Sequence, residues 1–338
     1  MSRRALAAAV AAGGMAAAAA TPAHASLAYV KGALQGKPAV WVADDDGAGA
    51  RLLATGGYSP KVSPDGNQVA YLYGTRRAAL KVRPAAGGTA RTVARNVWNY
   101  DAIAWSPDAT LLSVATGPEL GPYTLKLVEV ATGITRSLNK GVIHGVSFAP
   151  RGEGVVWARS FTSRYPVEAN LYTTSLDGGP IRRITSDGRA TSPVWGADRI
   201  AFSRSRKAPR RGDYAKLDIY TVGADGTALR RMTRTSPPFL LAGLSPLAWS
   251  ADGTRLAARY TGQDTSEAWR VIPATGAAAD ATGAFDGVVG WGLSRDGTTL
   301  LATTGYFDDP AGDVIAVGWD GGARTVLAQR ATQPSWSR

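Results

Sequence analysis

Residues 104–116 read AWSPDATLLSVAT and residues 248–260 read AWSADGTRLAARY. Both open on a small residue and Trp, turn at Ser-x-Asp and continue as an apolar run. The turn is clearest in a third copy, Ser63-Pro64-Asp65-Gly66. Pro64 pre-sets φ for the first central position, Asp65 bonds local backbone, and Gly66 accepts a positive φ. These features predict a tight hairpin with a bulge at the glycine.

Working outward, six copies emerge: KVSPDGNQVAYLY, AWSPDATLLSVAT, SFAPRGEGVVWAR, VWGADRIAFSRS, AWSADGTRLAARY and GLSRDGTTLLATT. Their leading residues are Val62, Trp105, Phe148, Trp195, Trp249 and Leu293, spaced 43 to 54 positions apart. That period suits a four-stranded propeller blade. Asp-Gly persists at Asp252-Gly253 and Asp296-Gly297, Ala109 replaces the glycine in one copy, and WGADR shortens the turn. After each hairpin comes a variable loop and an alternating strand: LKV, YTLKLVEV, NLYTTSL, LDIYTVG, EAWRVI or DVIAVGW. Period-2 alternation marks a half-buried strand. A Gly turn and an Arg/Thr-bearing strand follow (ARTVA, TRSL, IRRIT, LRRMT, RTVLA), except after Thr275, where the copy is degenerate. Four antiparallel strands per repeat, without helical periodicity, predict an all-β propeller.

WSPD, DIYTVGADGTALRRMT (218–233) and NLYTTSLDGGPIRRIT (170–185) resemble the TolB-like, WD-repeat-like propeller family. The resemblance covers nearly all of the chain after its leader. It implies fold strongly and function weakly, because this repeat serves many exported and catalytic contexts. The separate N-terminal domain of TolB has no counterpart in the sequence, which argues against TolB's role at the outer membrane.

Outside the six copies, SLAYVKGALQGKPAVWVADDDGAGARLLATGG supplies three strands lacking a first, and the closing PSWSR supplies a first strand lacking three. Pairing them closes the ring and removes open edges. The expectation is a seven-bladed propeller. Six blades is the alternative, with VWGADRIAFS the least regular copy.

MSRR followed by an Ala-rich apolar run ending Ala23-His24-Ala25 reads as a secretory signal peptide over 1–25, with one propeller domain over 26–338. The expected location is secreted, periplasmic or bacterial cell envelope. The run is interrupted by Gly13-Gly14 and suits a membrane span poorly. With no Cys, disulfides and thiolate chemistry are excluded. The net charge is +12, or +10 once Arg3 and Arg4 leave with the leader. An anionic envelope polymer or a protein is therefore the expected partner of a monomer. No nucleic-acid motif or cofactor motif is present.

Short SPDG and DGG turns share one face and suit structure. The opposite face carries the longer loops, where binding residues gather. Its candidates are Arg76, Arg77, Trp98, Tyr100, His144, Arg164, Tyr165, Arg210, Arg211, Tyr214, Phe239, Tyr306 and Phe307. Aromatic and Arg side chains dominate binding hot spots. The insertion RSRKAPRRGDYAK, with Arg204, Arg206, Lys207, Arg210, Arg211 and Lys216, reads first as a solvated loop of like charges, with docking to an anionic surface as the functional alternative.

After the leader the chain holds one His, His144, and no G-x-S-x-G elbow. Sites built from several His are excluded by count. Calcium needs oxygen ligands only, so Asp308-Asp309 with Asp313 remains a metal candidate, whereas Asp44-Asp45-Asp46 sits in an ordinary turn. The expected function is non-catalytic binding through the loop face. The alternative is a calcium-dependent propeller hydrolase or lyase. A third reading is the stand-alone relic of a protease's propeller domain.

Overall fold

The computed structural model describes residues 25–337, apart from 33–35, 76, 120, 162–167, 208–215, 235–241, 263–265, 275–279 and 306–310. Every regular element among them is a strand. Antiparallel pairing groups the strands into successive sets. β1 (Leu27–Lys31), β2 (Ala39–Ala43) and β3 (Arg51–Thr55) form the first. β4 (Gly57–Val62), β5 (Gln68–Tyr73), β6 (Ala78–Pro84) and the start of β7 (Arg91–Trp105) form the second. The rest of β7 opens a third with β8 (Leu111–Thr116), β9 (Tyr123–Glu129) and the start of β10 (Thr135–Phe148). The rest of β10 joins β11 (Gly154–Ser160), β12 (Asn170–Ser175) and β13 (Arg182–Arg183).

The fifth set is β14 (Ala190–Trp195), β15 (Ile200–Ser205), β16 (Lys216–Val222) and β17 (Arg230–Arg231). The sixth is β18 (Ala242–Trp249), β19 (Leu256–Thr261), β20 (Ser266–Ile272) and β21 (Ala281–Phe285). The copy read as degenerate after Thr275 thus has its fourth strand in β21. β22 (Val289–Leu293), β23 (Thr299–Thr303), β24 (Val314–Gly318) and β25 (Arg324–Ala328) follow. β26 (Thr332–Trp336) then pairs with β1, placing Trp336 opposite Leu27 and Ser335 opposite Ala28.

The Ser-x-Asp turns share one hydrogen-bond clamp. Ser63, Ser106, Ser250 and Ser294 donate through Oγ to Oδ1 of Asp65, Asp108, Asp252 and Asp296 at 2.5–2.6 Å. Each Asp also accepts the amide two positions on, at 3.0–3.1 Å. Gly66, Gly253 and Gly297 take φ near +70°, and Ala109 is forced to +59° where the glycine is missing. An L-residue there crowds its Cβ against the backbone.

Apolar positions pack between successive sets. Val40 and Val42 meet Val69 and Tyr71; Leu80 and Leu72 meet Leu112 and Val114; Leu125 and Leu127 meet Trp157 and Val155. Val156 and Leu171 meet Phe202 and Ile200; Ile219 and Ala201 meet Leu256 and Leu244. Ala257 and Phe285 meet Leu300 and Ile315, and Leu301 and Val314 meet Leu27 and Tyr29. Arg pairs stand on the short outermost strands β13 and β17, a charge placement that discourages edge pairing with other chains.

Candidate functional site

The first strand of each set delivers its last residue to one cavity of about 580 Å³. Val62, Trp105, Phe148, Trp195, Trp249, Leu293 and Trp336 contribute from β4, β7, β10, β14, β18, β22 and β26. Pro64, Pro107 and Pro150 surround the mouth, together with Arg151 and Arg295, both exposed. Among the described residues no carboxylate lines it. Indole hydrogen bonds fix two walls: Trp105 Nε1 donates to the Lys61 carbonyl at 2.9 Å and Trp249 Nε1 to the Val194 carbonyl at 3.3 Å. Their polar atoms are thereby satisfied across neighbouring sets, leaving the rings to shape an apolar wall.

This mouth lies on the face of the short turns, which the sequence assigned to structure. The signal was present: the aromatics that mark the repeat are the lining. Turn length concealed it, because the concavity comes from seven strand ends and their short turns converging, without a long loop.

Four residues earlier along the same strands lie Tyr58, Asp101, His144, Thr191, Ser245, Val289 and Thr332. Six of these seven are polar, a collar at the opposite, loop-bearing end. In each of these strands the ladder register shifts between the collar and the aromatic layer. Such bulges bend a strand and re-aim its side chains. Arg259, paired with Ser245 across β18 and β19, donates to the Gly290 carbonyl through Nη2 at 2.5 Å and Nε at 3.2 Å. Its guanidinium lies 5.3 Å from the Trp291 ring centroid.

Burial pulls the pKa of Lys61 below its usual value; Asp101 opposes this and Arg259 adds to it. Burial pulls Arg259 down to about 10, again against Asp101. Burial also holds His144 below 6.5, with Asp101 opposing. Lys61, His144 and Arg259 keep partial access to solvent. His144 Nε2 lies 2.8 Å from Ser160 Oγ.

Of the loop-face candidates, Tyr100 and His144 adjoin this collar. Tyr100 is 44 % exposed, and its ring meets that of Tyr58 edge-on at 5.9 Å. Tyr58 donates to the Gly74 carbonyl at 3.0 Å, and burial, reinforced by Tyr100, raises its pKa. Arg77 is exposed and Trp98 half-buried. Arg76, Arg164, Tyr165, Arg210, Arg211, Tyr214, Phe239, Tyr306 and Phe307 lie outside the described residues, as do Asp308 and Asp309. Within the basic insertion, Arg204 pairs with Asp187, and Arg206 pairs with the fully buried Asp218 at 2.7 Å. Those two charges are spent internally. Lys61, Asp101 and Arg259 were not singled out by the sequence. Among the described residues no group of three His, Asp or Glu converges as a metal site.

No family model and no curated protein matches the chain. Solved structures do. TolB from Acinetobacter baumannii is similar over 92% of this chain and 66% of its own, at 16% identity and TM-score 0.55. The chain thus spans slightly under two thirds of that protein. The β-propeller domain of the Trilobed protease from Pyrococcus furiosus, described as having an open velcro topology, matches over 91% and 96%, at 12% identity and TM-score 0.63. Oligogalacturonate lyase from Vibrio parahaemolyticus matches over 91% and 87%, at 13% identity and TM-score 0.57. At these identities the likeness concerns architecture, and it carries the conclusion that this all-β chain has a β-propeller fold of the kind found in TolB and in propeller-bearing hydrolases and lyases.

Proposed function

We propose that the chain is an exported binding module: a ring of seven blades that takes a protein or anionic polymer at its central axis. The ring reading draws support from β26 pairing with β1 and from apolar contacts that run from the last four-stranded set to the first. Export rests on the leader alone. The observation that carries binding is the cavity at the turn-face mouth. Rigid aromatic walls offer apolar area at low entropic cost, and Arg151 and Arg295 supply positive charge at the rim. The loop-face residues Arg77, Trp98, Tyr100 and His144 form the proposed second contact surface.

The test is tryptophan fluorescence of the purified chain, titrated with acidic polysaccharide fragments and with extracts of bacterial envelope protein. Saturable quenching, lost in an Arg151→Glu/Arg295→Glu variant, supports binding at the mouth. Unchanged emission with every anionic material removes it.

The competing reading, a calcium-dependent hydrolase or lyase, draws on His144 beside Asp101 in the collar and on the fold shared with oligogalacturonate lyase. Dissolved calcium followed by thermal shift tests it: a saturable rise favours the enzyme, and a flat response discards the calcium.

A further inference from the structure

We propose that Asp286-Gly287, between β21 and β22, is a spontaneous modification site, where the aspartate converts to isoaspartate through a succinimide. The inference concerns the chain's own backbone and does not depend on the binding function proposed above.

The reaction favours Asp-Gly pairs, because glycine has no side chain to hinder attack by its own amide nitrogen. The sequence has nine such pairs. In seven of them the glycine amide donates to a backbone carbonyl at 2.8–3.4 Å, and in an eighth Gly188 donates to Asn170 Oδ1 at 3.0 Å. The carboxylates of the same eight are held as well. The amide two positions on donates to Oδ1 of each at 2.8–3.3 Å. Where a serine stands two positions before the aspartate, as at Ser63, Ser175, Ser250 and Ser294, its hydroxyl adds a further bond.

Asp286-Gly287 breaks this pattern. Among the described residues neither the Gly287 amide nor the Asp286 carboxylate has a hydrogen-bond partner. Both residues are exposed. Gly287 has φ +69°, and no atom lies within 4 Å of where a Cβ on it would stand. Neither bonding nor crowding therefore resists the rotation that brings nitrogen to carboxyl. In the other eight turns both reacting groups must first give up a bond.

The chemistry balances with water alone. The Gly287 nitrogen attacks Asp286 Cγ, a C–N bond forms, and the amide proton leaves with the carboxyl hydroxyl as one water. A second water reopens the ring. When it enters at the former main-chain carbonyl, the chain afterwards runs through Cγ and the old main-chain carbon becomes a free carboxylate. The backbone is then one carbon longer between Phe285 and Val288, which are 1% and 2% exposed and packed in one core cluster with residues of β22, β23 and β24. The Asp286 carbonyl, which accepts Arg324 Nη2 at 2.9 Å from β25, is lost as well. The modification therefore strikes the seam between the sixth and seventh sets.

The experiment ages the full native chain at neutral pH, warm but below its unfolding transition, beside a sample kept unfolded in guanidinium chloride. Tryptic mapping with electron-transfer fragmentation then locates isoaspartate. In the native chain it should accumulate at Asp286 on the order of tenfold faster than at any of the other eight pairs, as two extra bonds to break require. In the unfolded sample the nine rates should converge. D286E keeps the charge at an exposed position, and its longer side chain disfavours the five-membered ring, so the native product should vanish from peptide 271–295. Isoaspartate spread evenly over the nine native pairs, or concentrated at a clamped pair, overturns the proposal. So does its absence from the native chain once the unfolded sample has formed it. Persistence in the same peptide of D286E assigns the reaction to Asp280 and overturns it too.

Discussion

The backbone amide of Ser59 donates to Oε1 of Gln333 at 2.8 Å, although the two residues lie 274 positions apart. The Val62 amide likewise donates to Ser335 Oγ at 3.1 Å. β26 is therefore held on two sides, by the β1 ladder and by these bonds to β4. Deleting Pro334–Arg338 removes Trp336, uncovers the edge of β1 and orphans the Val62 amide. The expected loss is about 4 kcal/mol or more, the scale of removing a packed Trp. Ser335→Ala alone costs about 1 kcal/mol. Guanidinium unfolding midpoints measure both. A truncated chain as stable as the full one rejects ring closure and with it the count of seven blades.

Ala109 occupies a turn position at φ +59° that Gly66, Gly253 and Gly297 fill elsewhere. Ala109→Gly relieves the Cβ crowding but adds freedom to the unfolded chain. The first effect is larger, so the variant gains about 0.5–1 kcal/mol. Differential scanning calorimetry registers this as a raised Tm. An unchanged or lowered Tm shows that the turn tolerates alanine without strain.

Asp218 is fully buried and receives Arg206 at 2.7 Å, Arg231 at 2.6 Å and the Thr233 hydroxyl at 3.3 Å. Asp218→Asn leaves two guanidinium groups facing a neutral amide. The expected cost is about 3 kcal/mol, near the low end for a broken buried pair because both arginines retain access to water. Arg206→Gln costs less, since Arg231 continues to hold the carboxylate. Equal costs for the two variants would remove the asymmetry argued from burial.

Burial depresses the folded-state pKa of His144 below the 6.5 of the unfolded chain. Its contribution to stability is therefore complete above pH 6.5. It is lost as pH falls toward the folded value, because the unfolded chain takes up the proton first. The clamped carboxylates Asp65, Asp108 and Asp252 sit below 3.8 and act only in more acid solution. Urea midpoints at pH 7.5 and pH 5 should differ in the native protein, and the gap should narrow in His144→Gln. An equal gap in both proteins assigns the pH response elsewhere.

The fold was legible because its instructions are local. Ser63 to Gly66 encode a hairpin within four residues, and the same chemistry recurs at a steady interval along the chain. Even the pairing of the two chain ends could be read, because each end lacked what the other held. The site was less legible because its geometry is assembled across strands. Trp105 and Trp249 are separated by more than 140 positions and line one cavity only because their strand ends converge. The bulges that aim Lys61 and His144 leave no motif beyond a Ser-Pro or a Gly. The cavity wall is built from residues already noticed for another reason, the tryptophans that mark the repeat.

The pairing of β26 with β1 also sets an order of events. β1 leaves the ribosome long before β26 and waits for that partner while every intervening strand is made. Until then the opening hairpin carries an uncovered edge, and a ribosome stalled anywhere before Thr332 yields a chain that cannot complete its first sheet. Such a product is exposed to proteolysis and to pairing with its own kind.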